Sequence, residues 1–163
     1  MAKVYMMCAP VCCGKTTVAA KLRAEKKAVV LSVDDITLAL FGQNAGKKHD
    51  FYVAKLEEYF YQKSLEIIAA GHNVVLDWGF WTKKERDFAR KFYESHNVAH
   101  EFLYLKISSE EWKRRIEKRN KAVSEGKANA YFIDAGLFEK FRSIFEEPKK
   151  DESNVVFIEQ LQA

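Results

Sequence analysis

The stretch Ala9-Pro10-Val11-Cys12-Cys13-Gly14-Lys15-Thr16 constrains this chain more than any other. It stands between an apolar run, Val4 to Ala9, that reads as a strand, and an amphipathic run, Gly14 to Lys26, that reads as a helix with Val18, Ala19 and Leu22 inward. A loop running from a strand end into a helix start can aim several backbone N–H groups at one anion, helped by the helix dipole. Gly14 supplies conformational freedom and Lys15 a mobile positive charge for β- and γ-phosphates. Thr16 brings a hydroxyl for Mg²⁺. Pro10 stiffens the loop by fixing φ, and Thr17 can reach the α-phosphate or simply cap. Val11, Cys12 and Cys13 fill the free positions, the two cysteines as small side chains expected to face away from the phosphates. Loops of this kind usually begin with glycine. Ala9 is tolerable there as a strand end, whereas a left-handed alanine would cost about 1 kcal/mol or more.

Beyond the loop, short β-branched runs alternate with longer amphipathic ones. Ala28 to Ser32 reads as a second strand, buried on both faces by its apolar continuity. Asp34 to Phe41 reads as a short helix ended by Gly42. A longer helix follows, with Val53, Leu56, Phe60, Ile67 and Ile68 at helical spacing and Gly71 as its stop. Asn73 to Asp77 is a third strand, and Thr82 with Glu85 forms a capping box for the next helix. Val98 to Ile107 gives a fourth strand, and Ser108 to Glu111 begins a helix running through Arg119. Ser124 to Asn129 is a polar break suited to a mobile lid, Asp134 to Glu146 a further helix, and Asn154 to Ile158 a last strand. Five strands alternating with helices predict an α/β fold of three layers, α/β/α, with a five-stranded parallel sheet of the nucleoside-kinase-like P-loop type. Without linker or repeat, the 163 residues read as one domain, with a lid at about 119–136.

The formal charge of +4, from 27 basic and 23 acidic side chains, is too small for a protein that coats nucleic acid. The only basic concentration of note is Lys113-Arg114-Arg115 with Lys118-Arg119. Three crowded cysteines, Cys8, Cys12 and Cys13, do not make a disulfide framework, and the four histidines show no metal-ligand spacing. A reduced, cytoplasmic protein with no membrane association is expected.

In an open parallel sheet, ligands bind beyond the carboxyl ends of the strands. Asp34-Asp35 and Asp77 fall there. Phosphoryl transfer needs a group to orient or deprotonate the attacking hydroxyl and a carboxylate near the metal, so Asp34 suits the base and Asp77 the metal. The plainer alternative makes Asp34 and Asp35 an N-cap pair and Asp77 a buried hydrogen-bonded carboxylate. Arg115 and Arg119 share a helix face and could grip a phosphoryl group or pair with Glu111 and Glu117. Trp78, Phe80 and Trp81 could stack on an acceptor or pack beneath their loop.

With these segments placed, the chain resembles the predicted-kinase group of P-loop ATP-binding proteins, related to phage-type polynucleotide 5′-kinase, chloramphenicol phosphotransferase and the zeta toxins. The stretches Asp77 to Arg86 and Phe145 to Glu152 resemble one subgroup especially closely. The resemblance implies ATP as phosphate donor with Mg²⁺, Asp34 as general base, Arg119 of Arg119-Asn120 as a lid contact to donor phosphates, and Pro148 to Glu152 near the nucleotide base. A second lid arginine of the polynucleotide kinases falls here on Val123, leaving Arg115 or Lys121 to substitute. Their arginine for an acceptor 3′-phosphate falls on Thr37, which counts against that acceptor. The leading expectation is transfer of the γ-phosphate to a hydroxyl of a small molecule. The alternatives are a polynucleotide or RNA 5′-hydroxyl kinase, and a nucleotide-dependent binding protein that hydrolyses slowly.

Overall fold

A computed structural model describes residues 1–159. Five strands, β1 (Val4–Cys8), β2 (Val29–Ser32), β3 (Val74–Asp77), β4 (His100–Lys106) and β5 (Val155–Glu159), form one parallel sheet in the order β2-β3-β1-β4-β5. Six α-helices connect them: α1 (Lys15–Lys26), α2 (Val33–Phe41), α3 (His49–Ala69), α4 (Lys83–Ser95), α5 (Ser109–Ser124) and α6 (Ala135–Ile144). The α/β architecture matches the expectation from the alternating periodicities. Among the described residues, no helix is long and apolar enough to cross a membrane.

The central strand β1 is buried along its whole length, and its pleat divides the interior in two. Tyr5 and Met7 join Val75, Leu103 and Leu105 in a core covered by residues of α1, α5 and α6, such as Ala19, Trp112 and Phe138. Val4, Met6 and Cys8 join Val74, Leu76 and Phe102 in the opposite core, beneath Tyr61 of α3 and Tyr93 of α4. Contrary to expectation, the second strand is not buried on both faces. β2 is an edge strand with Val29 39% exposed, because the chain crosses over β3 to place it outermost. An apolar run that short does not distinguish a central strand from an edge with one covered face.

Helix starts follow the cap chemistry. Thr82 accepts from Glu85 N–H while Glu85 accepts from Thr82 N–H, completing the capping box. Ser108 and Asp134 cap α5 and α6. The cap of α2 is Ser32, whose Oγ accepts from Asp35 N–H at 3.3 Å, so the N-cap alternative for the aspartate pair does not hold. Both aspartates instead occupy the first turn, where the helix dipole favours carboxylates.

A buried ion network holds the later half of the chain to the sheet. Arg86, fully buried on α4, binds Glu152 in a two-pronged fork at 2.9 and 2.8 Å. It also donates to the carbonyls of Phe80 at 3.1 Å and Glu146 at 3.0 Å. Arg90 adds a further bond to Glu152 at 2.7 Å. The Arg86 hydrogen bonds, foremost, hold the Glu152 carboxyl down at about 2, well below the ordinary 4.5. A depressed carboxyl stabilises the fold above its unfolded pKa and loses that stabilisation as pH falls through the folded value. Glu152→Gln is therefore expected to cost about 3 kcal/mol at pH 7 in urea unfolding. The difference from wild type should shrink as pH falls from about 4.5 toward about 2; a difference independent of pH would place the loss elsewhere.

Candidate active site

The loop between β1 and α1 leaves its helix start open. Gly14 takes the N-cap position at φ 87°, ψ 17°, a left-handed conformation open to glycine, and it offers no side-chain cap. The first turn of α1 carries no acid, only Lys15, Thr16 and Thr17. The amide groups of an uncapped helix start, beside a lysine, form an anion site.

The loop's carbonyls are fastened on the outside. Ala9 O accepts from the indole N–H of Trp81 at 3.1 Å, Pro10 O from Lys15 Nζ at 3.1 Å, and Val11 O from the indole N–H of Trp112 at 2.7 Å. Ala9 N–H donates to Gly79 O at 3.1 Å. With these four bonds the backbone from Ala9 to Val11 is held from β3–α4 on one side and from α5 on the other. Ala9 has no positive φ, consistent with the strand-end reading; the left-handed residue besides Gly14 is Cys12, at φ 61°. Gly79 is obligatory for a different reason, since a Cβ there would lie 1.7 Å from the Trp81 indole nitrogen.

The aromatic loop is thereby divided. Trp81 braces the phosphate loop and packs on Phe141 with ring centres 4.8 Å apart. Phe80 is buried, and Trp78 stacks between Phe80 and Phe60. Trp112, which sequence reasoning passed over, supports the loop from a position about a hundred residues away.

The carboxylates gather at the same rim. Asp77 ends β3, its Cα partner on β2 is Ser32, and Asp34 and Asp35 follow Ser32 in the first turn of α2. Burial raises the Asp77 carboxyl, with Lys15 acting against it and the charges of Asp34 and Asp35 adding to it. Asp77 is thus an inward carboxylate with Lys15 as its cationic neighbour, while Asp34 and Asp35 are exposed. Among the described residues no three His, Cys, Asp or Glu side chains gather as a metal-binding group. The Thr16 hydroxyl and the Asp77 carboxylate are oxygen donors of the kind that suits Mg²⁺, which takes one or two protein oxygens and completes its shell from phosphates and water.

From the other side of the loop comes Arg119 of α5. Its Nη1 donates to Cys12 Sγ at 3.1 Å, and its Nε is buried with no hydrogen-bond partner among the described residues. Such an orphaned guanidinium N–H calls for an acceptor. Arg115, one turn earlier, is bound to Glu111 at 2.6 Å, although its charge still reaches Cys13. Cys8 and Cys13 are buried, and desolvation pushes both thiols up to about 12.

The segment after α5 is strapped to the turn after α2 and back to α5 by side-chain amides. Gln43 donates to Ala130 O at 2.7 Å and accepts from Phe132 N–H at 3.2 Å. Asn120 does the same with Ile133, at 2.6 and 2.9 Å. Tyr131 OH donates to Thr37 Oγ1 at 2.8 Å, and Thr37 is fully buried.

The AAA domain family AAA_33 matches residues 4–148. No curated protein sequence matches the chain significantly. Among solved structures it is similar to the Mycobacterium tuberculosis APS kinase CysC in complex with AMPPNP and APS, at 15% identity and TM-score 0.67, over 99% of this chain and 90% of that one. A gluconokinase from Sinorhizobium meliloti 1021 is similar at 15% identity and TM-score 0.64, over 99% of this chain and 84% of that one. A chain of the Pnkp1/Rnl/Hen1 RNA repair complex is similar at 19% identity and TM-score 0.66, over 87% of this chain and 43% of that one. These likenesses establish the shared fold.

Two measurements probe this geometry. Trp112→Phe strips the donor from Val11 O and is expected to lower stability by about 1–3 kcal/mol in urea unfolding. It should also weaken the thermal shift given by nucleotide. Asp77→Asn is expected to raise the stability of the ligand-free protein by about 0.5–2 kcal/mol at pH 7. A carboxyl raised by folding opposes stability once ionised, so that gain should vanish as pH falls through the ordinary aspartate range. Equal gain at pH 4 and pH 7 would contradict it.

Proposed function

The chain belongs to the AAA_33 family of P-loop kinases, and from that premise we propose that it transfers the γ-phosphate of ATP to a hydroxyl group of a small molecule. The observation that carries this reading is the unpartnered Arg119 Nε beside an uncapped, acid-free helix start, with exposed carboxylates across the same rim.

In this reading the backbone from Ala9 through Gly14, with Pro10, Val11, Cys12 and Cys13 between, cradles the phosphates, and Thr17 assists from the first helical turn. Lys15 leaves Pro10 O for the β/γ-phosphates, and Arg119 turns its N–H groups from Cys12 to the transferring group. A guanidinium can bind two equatorial oxygens at once. Arg115 is held in reserve on Glu111. Thr16 and Asp77 would hold Mg²⁺, which would neutralise charge on the phosphate oxygens. Asp34 accepts the proton of the acceptor hydroxyl as its oxygen forms a bond to the γ-phosphorus. The bond from that phosphorus to the β,γ-bridging oxygen breaks, and ADP leaves with that electron pair.

A small acceptor is favoured over a nucleic-acid end by Thr37. It stands where the related polynucleotide kinases carry an arginine for the acceptor phosphate, and here it is buried beneath Tyr131. The residues 119–136, from the last turns of α5 through the strap, act as the lid in this reading.

Radiolabelled ATP and a panel of sugars, alcohols, nucleosides and 5′-hydroxyl oligonucleotides test the proposal. Asp34→Asn is expected to lower transfer to the accepted hydroxyl at least a hundredfold while ATP still raises the melting temperature. Unchanged transfer would remove Asp34 from the base role. Turnover only to water with every acceptor would favour a nucleotide-dependent binding protein.

A further inference from the structure

A second cleft, of about 640 Å³, lies between α3 and α4. That is the size of a small-molecule site. Its walls are aromatic: Tyr61 from α3, Trp78 from the turn after β3, and Phe88 and Phe92 from α4. Tyr61 braces the other three, with ring centres 5.7 Å from Trp78, 5.3 Å from Phe88 and 5.0 Å from Phe92. Phe88 is nonetheless 58% exposed. None of these residues belongs to the phosphate loop.

The charges of the cleft do not balance. Among the described residues Glu57, Glu58 and Glu85 line it, with Lys84 as the one cation. Glu58 is bound to Lys55 at 2.6 Å, and Glu85 accepts the Thr82 N–H at 3.0 Å in the cap of α4. Glu57 is half-buried and makes no hydrogen bond or ion pair among the described residues. Burial, helped by the charge of Glu85, pushes its carboxyl up to about 7. A desolvated carboxylate without a partner is unfavourable unless a cation is supplied. Aromatic faces, negative at their centres, attract the same kind of guest.

We propose that this cleft binds a small organic cation, an ammonium head seated on Glu57 with an apolar body against Tyr61, Trp78, Phe88 and Phe92. An anion would meet a surplus of carboxylates. A neutral apolar guest would cover Glu57 without pairing it. Only a guest with both properties satisfies both walls of the cleft. The inference goes beyond the phosphotransferase reading and does not depend on it.

The three tryptophans make the test specific, because their indole N–H signals report three places. Trp81 and Trp112 donate to the phosphate loop, while Trp78 lines the cleft. ¹⁵N-labelled protein would be titrated with benzyltrimethylammonium chloride and, separately, with benzyl alcohol as the uncharged counterpart. The expected result is a saturable shift of the Trp78 signal with the cation, at least tenfold weaker binding of the alcohol, and unmoved Trp81 and Trp112 signals. Glu57→Gln should weaken the cation at least fivefold and leave the alcohol unchanged, in a protein whose thermal unfolding remains cooperative. Binding of the cation should tighten several-fold from pH 6 to pH 8 as Glu57 ionises; the groups facing it are Glu58 and Tyr61 on α3, and Glu85 and Lys84 on α4. Lys15→Ala, which disables the phosphate loop, should bind the cation as wild type does. Equal binding of cation and alcohol would reduce the cleft to an apolar one and overturn the proposal. So would the absence of any Trp78 shift, or loss of binding in Lys15→Ala. The wild-type comparison of cation with alcohol decides the matter even if Glu57→Gln fails to fold.

Discussion

The guanidinium of Arg86 is the fixed point on which the site is built. It is always charged, fully buried, and has to satisfy its donors inside the protein. Glu152 accepts from Nε and Nη2, and the carbonyls of Phe80, Trp81 and Glu146 accept from Nη1. This one side chain therefore sets the path of the turn after β3 and ties it to the segment leading into β5. From that turn, Gly79 O and the Trp81 indole reach back to Ala9. The start of the phosphate loop is thus held by a chain of contacts that begins at a buried ion pair far along the sequence.

Much of the architecture was legible because it rests on local rules. Strand-loop-helix around Gly14, the capping box at Thr82 and the apolar run of β1 each follow from neighbours within a few residues. What could not be read depends on partners brought together by the topology. The edge position of β2 is a property of strand order, which Ala28 to Ser32 does not encode. Trp112 looks like an ordinary apolar residue of α5 until its indole is seen on Val11 O. Gln43 carries no signal at all, since an amide in a polar loop has many possible uses. The resemblance of Asp77 to Arg86 and of Phe145 to Glu152 to one subgroup gains a physical cause, because the Arg86–Glu152 pair joins those two stretches.

The same contrast governs the candidate site residues. Lys15, Thr16, Asp34 and Asp77 could be named from their places at strand ends, and the sheet brings their segments to one rim. Arg119 could be named as a basic residue on a helix, but its distinction from Arg115 is geometric. One is bound to an acid on its own helix, and the other reaches a sulfur of the loop. Strain also falls where the string of residues did not place it. The unusual Ala9 is relaxed, and Cys12 bears the left-handed backbone. A side chain in that conformation costs about 1 kcal/mol or more, so the turn is held by its surroundings rather than by its own preference.

The pleat of β1 has a consequence for how such a chain can change. Alternate residues of Val4–Cys8 belong to two different interiors, so the strand counts in pairs. Adding or deleting one residue would reverse the parity, sending Tyr5 and Met7 toward α3 and α4 and turning Ala9 away from the Trp81 indole. Adding two would preserve the faces but advance the loop by about 7 Å along the strand axis, out of reach of its supports. The spacing between the strand's buried side chains and the loop is therefore an arithmetic invariant of the fold. Residue types along β1 can drift within each interior, but its length cannot.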